Sequence, residues 1–338
     1  MILTYEQIKA ITVGAVRMEQ HEDGIQFHRF TGEQERIYEG SQYHPKHYAT
    51  AGVRLCFQTN STALYLKVKV SQGSSRGYFA HDVLVNGERI GGLANFALEG
   101  KYVNYAGMKG SFGEFGKEFS LGEGVKSVCI HLPWSVCSIL QELRLDDGAF
   151  VEPVKKSKKL IAFGDSITQG YDALHPSNRY AAQIADALDA EEICKAIGGE
   201  TFCPQLAAAR DAFEPDYITV AYGTNDWRKS SVEEFRHNCR EFFAALVRNY
   251  PNARIFAITP IWRKERTEKT AFDSFDDIEQ FIRETVKPYD NITCIIGRNF
   301  LPADENLFAD LRLHPTDEGF GYYIQGVYEN ETLQFGKV

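Results

Sequence analysis

The chain has 338 residues, of which 43% are hydrophobic and 25% are charged. These fractions are ordinary for a globular protein, and the length suits two domains better than one. The formal net charge of −9 argues against a nucleic-acid partner, because phosphate binding needs a basic face. No stretch approaches the roughly 20 apolar residues of a membrane-spanning helix, so we expect no membrane partner either.

The N-terminal residues and the cysteines predict the compartment. Residues 1–7 lack a basic segment followed by an apolar one, which a secretory signal would show. The seven cysteines are scattered and include no C-x-x-C pair, which is typical of buried free thiols in a reducing compartment. We therefore expect a cytoplasmic protein, and the sequence leaves its oligomeric state open.

In the first half of the chain, apolar and polar residues alternate. The alternation is clear at 53–57, 64–70 and 128–132, as in strands with one buried face. The pair Asn86-Gly87 lies between two such runs and predicts a two-residue hairpin turn, which needs positive φ at both positions. Residues 1–152 are therefore predicted to form a jelly-roll-like β-sandwich, with one short helix near Tyr5–Ile11.

In the second half, residues 158–338, short apolar strands alternate with amphipathic helices. Such alternation predicts a parallel sheet covered by helices on both faces, with ligands beyond the carboxyl ends of the strands. In chain order we predict strand 160–163, helix 180–188, strand 193–197, strand 217–222, helix 232–247, strand 254–261, helix 275–286, strand 292–296 and helix 316–328.

Four short segments in this half each follow an apolar run, and together they provide the groups of an acyl-transfer site. They are Gly164-Asp165-Ser166, Gly198-Gly199-Glu200-Thr201, Gly223-Thr224-Asn225-Asp226 and Leu313-His314-Pro315. Ser166 at a strand-to-helix turn is a candidate nucleophile whose own N–H faces an incoming oxyanion. Gly199 N–H and the Asn225 amide are further candidate oxyanion donors, and His314 is the candidate base. Taken singly, each segment is equally a turn or a helix cap.

Together the four segments resemble the GDSL-type SGNH hydrolase superfamily. Ser166, Gly199, Asn225 and His314 match its Ser, Gly, Asn and His blocks in order, over roughly residues 158–330. The resemblance implies a flavodoxin-like sheet of five strands and an esterase, acetylesterase, thioesterase or lysophospholipase activity. It also implies that the enzyme needs no metal and no cofactor.

The sequence departs from that family at the third member of the triad. The family places Asp three residues before the His, whereas position 311 is Leu and the nearest acid, Asp310, lies four residues before His314. A loop absorbs one extra residue, so Asp310 is predicted to hold the imidazole tautomer. The alternative is a Ser–His dyad in which a backbone carbonyl supports the ring.

A β-sandwich before such a hydrolase domain resembles the architecture of carbohydrate esterase family two. We therefore predict a serine esterase that removes short acyl groups, most notably acetyl, from a small-molecule or oligosaccharide ester. Trp227 and Trp262 follow the third and fourth strands and are candidate substrate-stacking residues. A thioesterase or lysophospholipase, and an inactive glycan-binding protein, are the alternative functions.

Overall fold

Strands of the first half pair into two antiparallel sheets that pack face to face. The computed structural model describes residues 1–329. The first sheet contains β1 (Thr12–Val13), β4 (Arg54–Thr59), β6 (Ala80–Val85), β7 (Glu88–Ala94), β9 (Lys126–His131) and β11 (Glu152–Pro153). The second contains β2 (Arg17–His21), β3 (Gly24–His28), β5 (Ala63–Gln72), β8 (Gly113–Ser120) and β10 (Val136–Leu145).

The predicted alternation decides which faces of these strands are buried. In β5, Leu64, Leu66, Val68 and Val70 are at most 2% exposed, and they share one core with Val128 and other residues of the first sheet. Burial of such aliphatic side chains contributes about 1.5–3 kcal/mol each. The predicted hairpin is also confirmed, since Asn86 and Gly87 join β6 to β7 with φ values of 50° and 87°.

Two short helices accompany the sandwich. The predicted helix α1 spans Tyr5–Ile11 and begins at a capping box formed by Thr4 and Gln7. A second helix, α2 (Gly32–Tyr38), was not predicted, although the same signal is present: Thr31 accepts from the N–H of Gln34, and the Gln34 side chain accepts from the N–H of Thr31. This helix lies next to the second half of the chain and contributes to the surface beside the site.

The second half forms a parallel sheet with the order β13-β12-β14-β15-β16. Its strands are β12 (Lys158–Gly164), β13 (Ala190–Cys194), β14 (Tyr217–Ala221), β15 (Arg254–Ile258) and β16 (Ile292–Ile295). The helices are α3 (Ser166–Gln169), α4 (Tyr180–Ala187), α5 (Pro204–Ala208), α6 (Asp226–Lys229), α7 (Val232–Asn249), α8 (Asp276–Val286) and α9 (Asp317–Glu329). The order 2-1-3-4-5 is flavodoxin-like, as the resemblance implied.

Two strands differ most from their predicted bounds. The strand predicted at 254–261 ends already at Ile258. The apolar run predicted another strand at 193–197, but β13 begins at Ala190 and ends at Cys194. Its register against β12 brings two acidic residues into the strand. Glu192 is buried there because Arg179 donates to it at 2.7 Å, and a buried charge is tolerated when it is paired in this way.

The two halves pack closely against each other through buried polar contacts. The ammonium of Lys195 donates to Arg29 O at 2.7 Å, to Gln34 at 2.6 Å and to Asp211 at 2.8 Å. The Arg29 guanidinium donates to the carbonyls of Cys194 and Ala196. These contacts hold the sandwich beside the carboxyl edge of the parallel sheet.

The division into domains 1–152 and 158–338 remains a proposal. The last strand that pairs within the sandwich sheets, β11, ends at Pro153, and the first strand of the parallel sheet begins at Lys158. The part of the second domain from 330 to 338 lies outside the described residues. Among residues 1–329, no helix combines the length and the apolar character of a membrane span.

Candidate active site

Ser166, His314 and Asp310 form a continuous hydrogen-bonded chain. His314 Nε2 lies 2.9 Å from Ser166 Oγ, and His314 Nδ1 lies 2.8 Å from Asp310 Oδ2. The hydrogen bond from His314 and the N–H groups of Leu313 and His314 outweigh burial and hold the pKa of Asp310 well below its usual range. An ionised carboxylate only accepts, so the ring proton sits on Nδ1 and the Nε2 lone pair faces the serine hydroxyl.

The extra residue between Asp310 and His314 is absorbed by the backbone of Leu311. Its φ of 54° is left-handed, a conformation that costs a non-glycine residue about 1–2 kcal/mol. Hydrogen bonds within the turn offset part of this cost, because Asp310 Oδ1 accepts from the N–H groups of Arg312, Leu313 and His314 at 3.0, 2.7 and 3.1 Å. The structure thus brings Asp310 to the imidazole, and His314 has a carboxylate rather than a carbonyl partner at Nδ1.

Ser166 is held by the junction between β12 and α3. Asp165 caps the helix, and its Oδ1 accepts from Ile167 N at 2.9 Å. Because Ser166 is the first residue of α3, its N–H has no acceptor within the helix and is free to donate elsewhere. Ser166 is only 3% exposed, so its hydroxyl and its N–H lie in a nearly dry environment.

The two other predicted oxyanion donors lie on neighbouring turns. Gly199 has a φ of 88°, which glycine adopts without steric cost. Asn225 precedes α6, and its Nδ2 donates to Glu200 O at 3.0 Å. An amide nitrogen has two protons, so this contact fixes the side chain beside the Gly199–Glu200 turn and leaves one proton for an oxyanion.

Gln169 is a positioning residue that the sequence did not single out. It is fully buried, its Oε1 accepts from Gly198 N at 2.7 Å, and its Nε2 donates to Trp134 O at 2.9 Å. It therefore ties the helix that begins with Ser166 to the glycine turn and to the sandwich. Its position three residues after the serine is the only sequence signal for it.

The sandwich contributes Arg76 to the surroundings of His314, which was also not predicted. Its guanidinium donates to both oxygens of buried Asp172, at 2.6 and 2.7 Å, and Tyr78 donates to the same carboxylate. Arg76 Nη2 lies 3.4 Å and Asp172 Oδ2 lies 3.6 Å from His314 Nδ1. Asp172, Asp310 and His314 are near enough to share a cation, but the guanidinium already pairs with Asp172.

Three buried carboxyl groups lie beneath the site. Burial raises the pKa of Asp165 to about 6 and that of Asp226 to about 7. It also raises the pKa of Glu200, whose Oε2 accepts from Tyr222 at 2.7 Å. In each case the cause is desolvation, which disfavours the charged form. The region below the oxyanion donors therefore carries less negative charge than three fully ionised carboxylates would.

The structure does not support Trp227 as a substrate-stacking residue. Its side chain is 1% exposed and packs against Phe272 and Phe275, with ring centroids 5.9 and 5.5 Å away. The prediction was wrong because α6 turns this position into the core rather than toward the sheet edge. Trp262 is half-buried, packs against Phe308 at 5.1 Å, and lines a surface cleft of about 470 Å³, so its role remains a prediction.

Comparisons with known proteins agree with this architecture. Residues 162–321 match the model of the GDSL-like Lipase/Acylhydrolase family. No curated protein sequence matches the chain.

Several solved structures share the fold over nearly the whole chain. A salicylyl-acyltransferase, SsfX3, from a tetracycline biosynthetic pathway is 21% identical with a TM-score of 0.78, covering 94% of this chain and 92% of that one. A GDSL-like lipase from Bacteroides ovatus, described as putative, is 18% identical with a TM-score of 0.74 and coverage of 97% and 95%. A family two carbohydrate esterase from Clostridium thermocellum, solved with cellohexaose, is 15% identical with a TM-score of 0.64 and coverage of 96% and 100%. At these identities the similarity shows the fold alone.

Proposed function

We propose that this protein, an ester-hydrolysing enzyme whose residues 162–321 match the GDSL-like Lipase/Acylhydrolase family model, removes short acyl groups from carbohydrates. Acetyl is the acyl group that we expect first. The observation that carries the proposal is the chain of contacts from Ser166 Oγ through His314 to Asp310, at 2.9 and 2.8 Å. The carbohydrate esterase that shares the fold was solved with cellohexaose, and this supports an oligosaccharide as the alcohol part. The cytoplasmic location stays a prediction from the sequence.

In the proposed mechanism, Ser166 Oγ attacks the ester carbonyl while His314 Nε2 takes its proton. Asp310 keeps the ring in the required tautomer and stabilises the imidazolium. The oxyanion is held by the N–H groups of Ser166 and Gly199 and by the Asn225 amide, and each such donor is worth on the order of 10²–10³ in rate. His314 then protonates the leaving alcohol, and water repeats these steps on the acyl-enzyme.

In this mechanism, Arg76 and Asp172 contribute to the net charge around His314. With Asp310 ionised, the immediate surroundings of His314 Nδ1 hold two carboxylates and one guanidinium. This arrangement leaves one net negative charge to stabilise the imidazolium. We therefore expect the sandwich to be needed for full activity through Arg76, and not only for stability.

The test is hydrolysis of 4-nitrophenyl acetate by wild type and by Ser166→Ala. We expect the variant to lose at least 10³ in kcat, with unchanged thermal unfolding, because only a small hydroxyl is removed. A fluorophosphonate should label wild type and not the variant. Undiminished hydrolysis by Ser166→Ala would remove this serine from the mechanism.

The preferred substrate distinguishes the proposed function from its alternatives. A thioesterase or lysophospholipase would favour acyl chains of eight or more carbons over acetyl, which a series of 4-nitrophenyl esters measures directly. An inactive glycan-binding protein would bind oligosaccharide without turnover, and a fluorophosphonate would not label its Ser166. The 2.8 Å contact between Asp310 and His314 supports an active enzyme instead.

A further inference from the structure

Two lysines converge on the turn that carries Gly199. Lys46 Nζ donates to Gly198 O at 2.5 Å, and Lys229 Nζ donates to Gly199 O. Tyr43 also donates to Gly199 O, at 3.0 Å, so that carbonyl already has a neutral donor. Holding the turn in place therefore does not by itself require two positive charges.

The two ammonium groups are close together. A Cβ built on Gly199 would lie 3.2 Å from Lys229 Nζ and 3.6 Å from Lys46 Nζ, so the two nitrogens are at most about 7 Å apart. Like charges at this separation repel, more strongly where water is partly excluded. Burial, and after it the charge of Lys229, lowers the pKa of Lys46, and burial lowers that of Lys229.

Neither lysine forms an ion pair within the part of the chain that the structure describes. The acids whose charges reach them are Glu200, Asp165 and Asp226, and these are the buried carboxyls with raised pKa values. Each ammonium has three protons and uses one on a carbonyl. The pair therefore keeps unused donors beside the turn, and its charges face buried carboxyls with raised pKa values rather than carboxylates in direct ion pairs.

The two lysines lie close to the predicted oxyanion donors. Lys229 follows Asn225 by four residues, and Lys229 N donates to Asn225 O at 3.1 Å, so both side chains lie on the same side of α6. Lys46 belongs to a 3₁₀ turn of the sandwich, His44–Lys46. A cleft of about 460 Å³ is lined by Glu200 and by Tyr43, whose hydroxyl donates to Gly199 O; neither lysine lines this cleft.

We propose that Lys46 and Lys229 form an anion-binding subsite that receives a negatively charged group of the ester substrate. The enzyme then favours esters that carry a carboxylate, on the sugar or on the acyl group, over neutral esters of the same size. The inference rests on the proposed function, because it assumes that Gly199 and Asn225 border the reacting ester. It assigns part of the specificity to the sandwich, which supplies Lys46.

The experiment compares kcat/KM for two matched pairs of substrates. Acetylated glucuronate against acetylated glucose places the carboxylate on the sugar, and 4-nitrophenyl hemisuccinate against 4-nitrophenyl butyrate places it on the acyl group. For wild type we expect the charged member of one pair to be favoured at least tenfold at low salt, with the advantage shrinking as NaCl is added. Whichever pair shows the advantage identifies the side of the ester that carries the charge.

Variants then assign the effect to the two lysines. Lys46→Gln and Lys229→Gln keep a neutral N–H donor for the carbonyls, and each should lower the charged-to-neutral ratio about tenfold. Lys229→Arg should retain the ratio, and Lys101→Gln, at an exposed site elsewhere in the sandwich half, serves as the matched control. Thermal unfolding of every variant shows whether it is folded.

The inference is overturned if wild type treats both members of each pair alike, or if the ratio survives in both glutamine variants. Either result leaves the proposed function intact as long as neutral esters are hydrolysed and Ser166→Ala is inactive. Loss of Ser166 dependence on neutral esters would instead refute the proposed function. The two failures are therefore distinguishable in one set of assays.

Discussion

Replacing Asp310 by asparagine or by alanine gives two variants that differ in the imidazole tautomer. In wild type, Oδ1 accepts from three backbone N–H groups and Oδ2 accepts from His314 Nδ1 at 2.8 Å. In Asp310→Asn the oxygen must stay on the backbone side, because an NH₂ group there would face three donors. The amide NH₂ then faces Nδ1, which moves the ring proton to Nε2 and presents a donor to Ser166 Oγ.

The expected magnitudes follow from this difference. A reversed tautomer removes the general base, and the same substitution in a serine protease triad lowers kcat by about 10⁴, or about 5 kcal/mol. Alanine leaves Nδ1–H free to find another acceptor, and Asp172 Oδ2 is already 3.6 Å away. For Asp310→Ala we therefore expect a smaller loss, on the order of 10².

The free energy of unfolding should rank these two Asp310 variants in the opposite order to their activity, with the less active variant being the more stable. Asparagine keeps an acceptor for the three N–H groups of the turn, whereas alanine leaves them without it. The cost of losing such hydrogen bonds is about 1–3 kcal/mol when the donors stay unsatisfied. Asp310→Asn should thus be the more stable and the less active of the two variants.

The assay measures kcat with saturating 4-nitrophenyl acetate and the free energy of unfolding in urea for both variants. Asp304→Asn is the matched control, since this exposed aspartate caps a neighbouring 3₁₀ helix and should leave kcat unchanged. The reasoning is refuted if Asp310→Asn retains wild-type kcat, or if the alanine variant is the less active one.

Further predictions concern the neighbours of the triad. Arg76→Met should lower both kcat and the free energy of unfolding, the latter by about 3 kcal/mol, because it strands a buried carboxylate; in Arg76→Met with Asp172→Asn we expect stability to recover more than kcat, and recovery of neither would contradict the pairing. Gly199→Ala should lower kcat and stability together, since its φ of 88° is strained for alanine and a shifted turn would misplace the N–H; unchanged stability and kcat would show that this turn does not need glycine. Because burial raises the pKa of Glu200, the folded state keeps its proton where the unfolded chain loses it, so stability falls as pH rises from about 5 to 8. Urea unfolding should show a shallower fall in Glu200→Gln, and an identical slope would argue against a raised pKa.

Local pattern was enough to predict most of the fold. Period-two alternation placed β5 because one face of each sandwich strand is buried, and alternating apolar runs and helices gave the parallel sheet. The blocks around Ser166, Gly199 and Asn225 were identifiable for a topological reason: each follows one of three adjacent parallel strands, and these strands end at one edge of the sheet. His314 follows no strand of this sheet, since β16 ends at Ile295, and the loop before α9 brings it to the same edge.

The tertiary structure decided what surrounds that edge. Arg76 meets Asp172 across the interface between the two halves, and Lys46 meets the Gly198 carbonyl in the same way. Trp227 is buried although its place after a strand indicated the surface. The periodicity of a sequence shows which face of one segment is exposed to water, but it does not show which distant side chain will contact that segment. Those contacts depend on how the two halves pack. The packing therefore determines the charged groups around His314 and those beside Gly199.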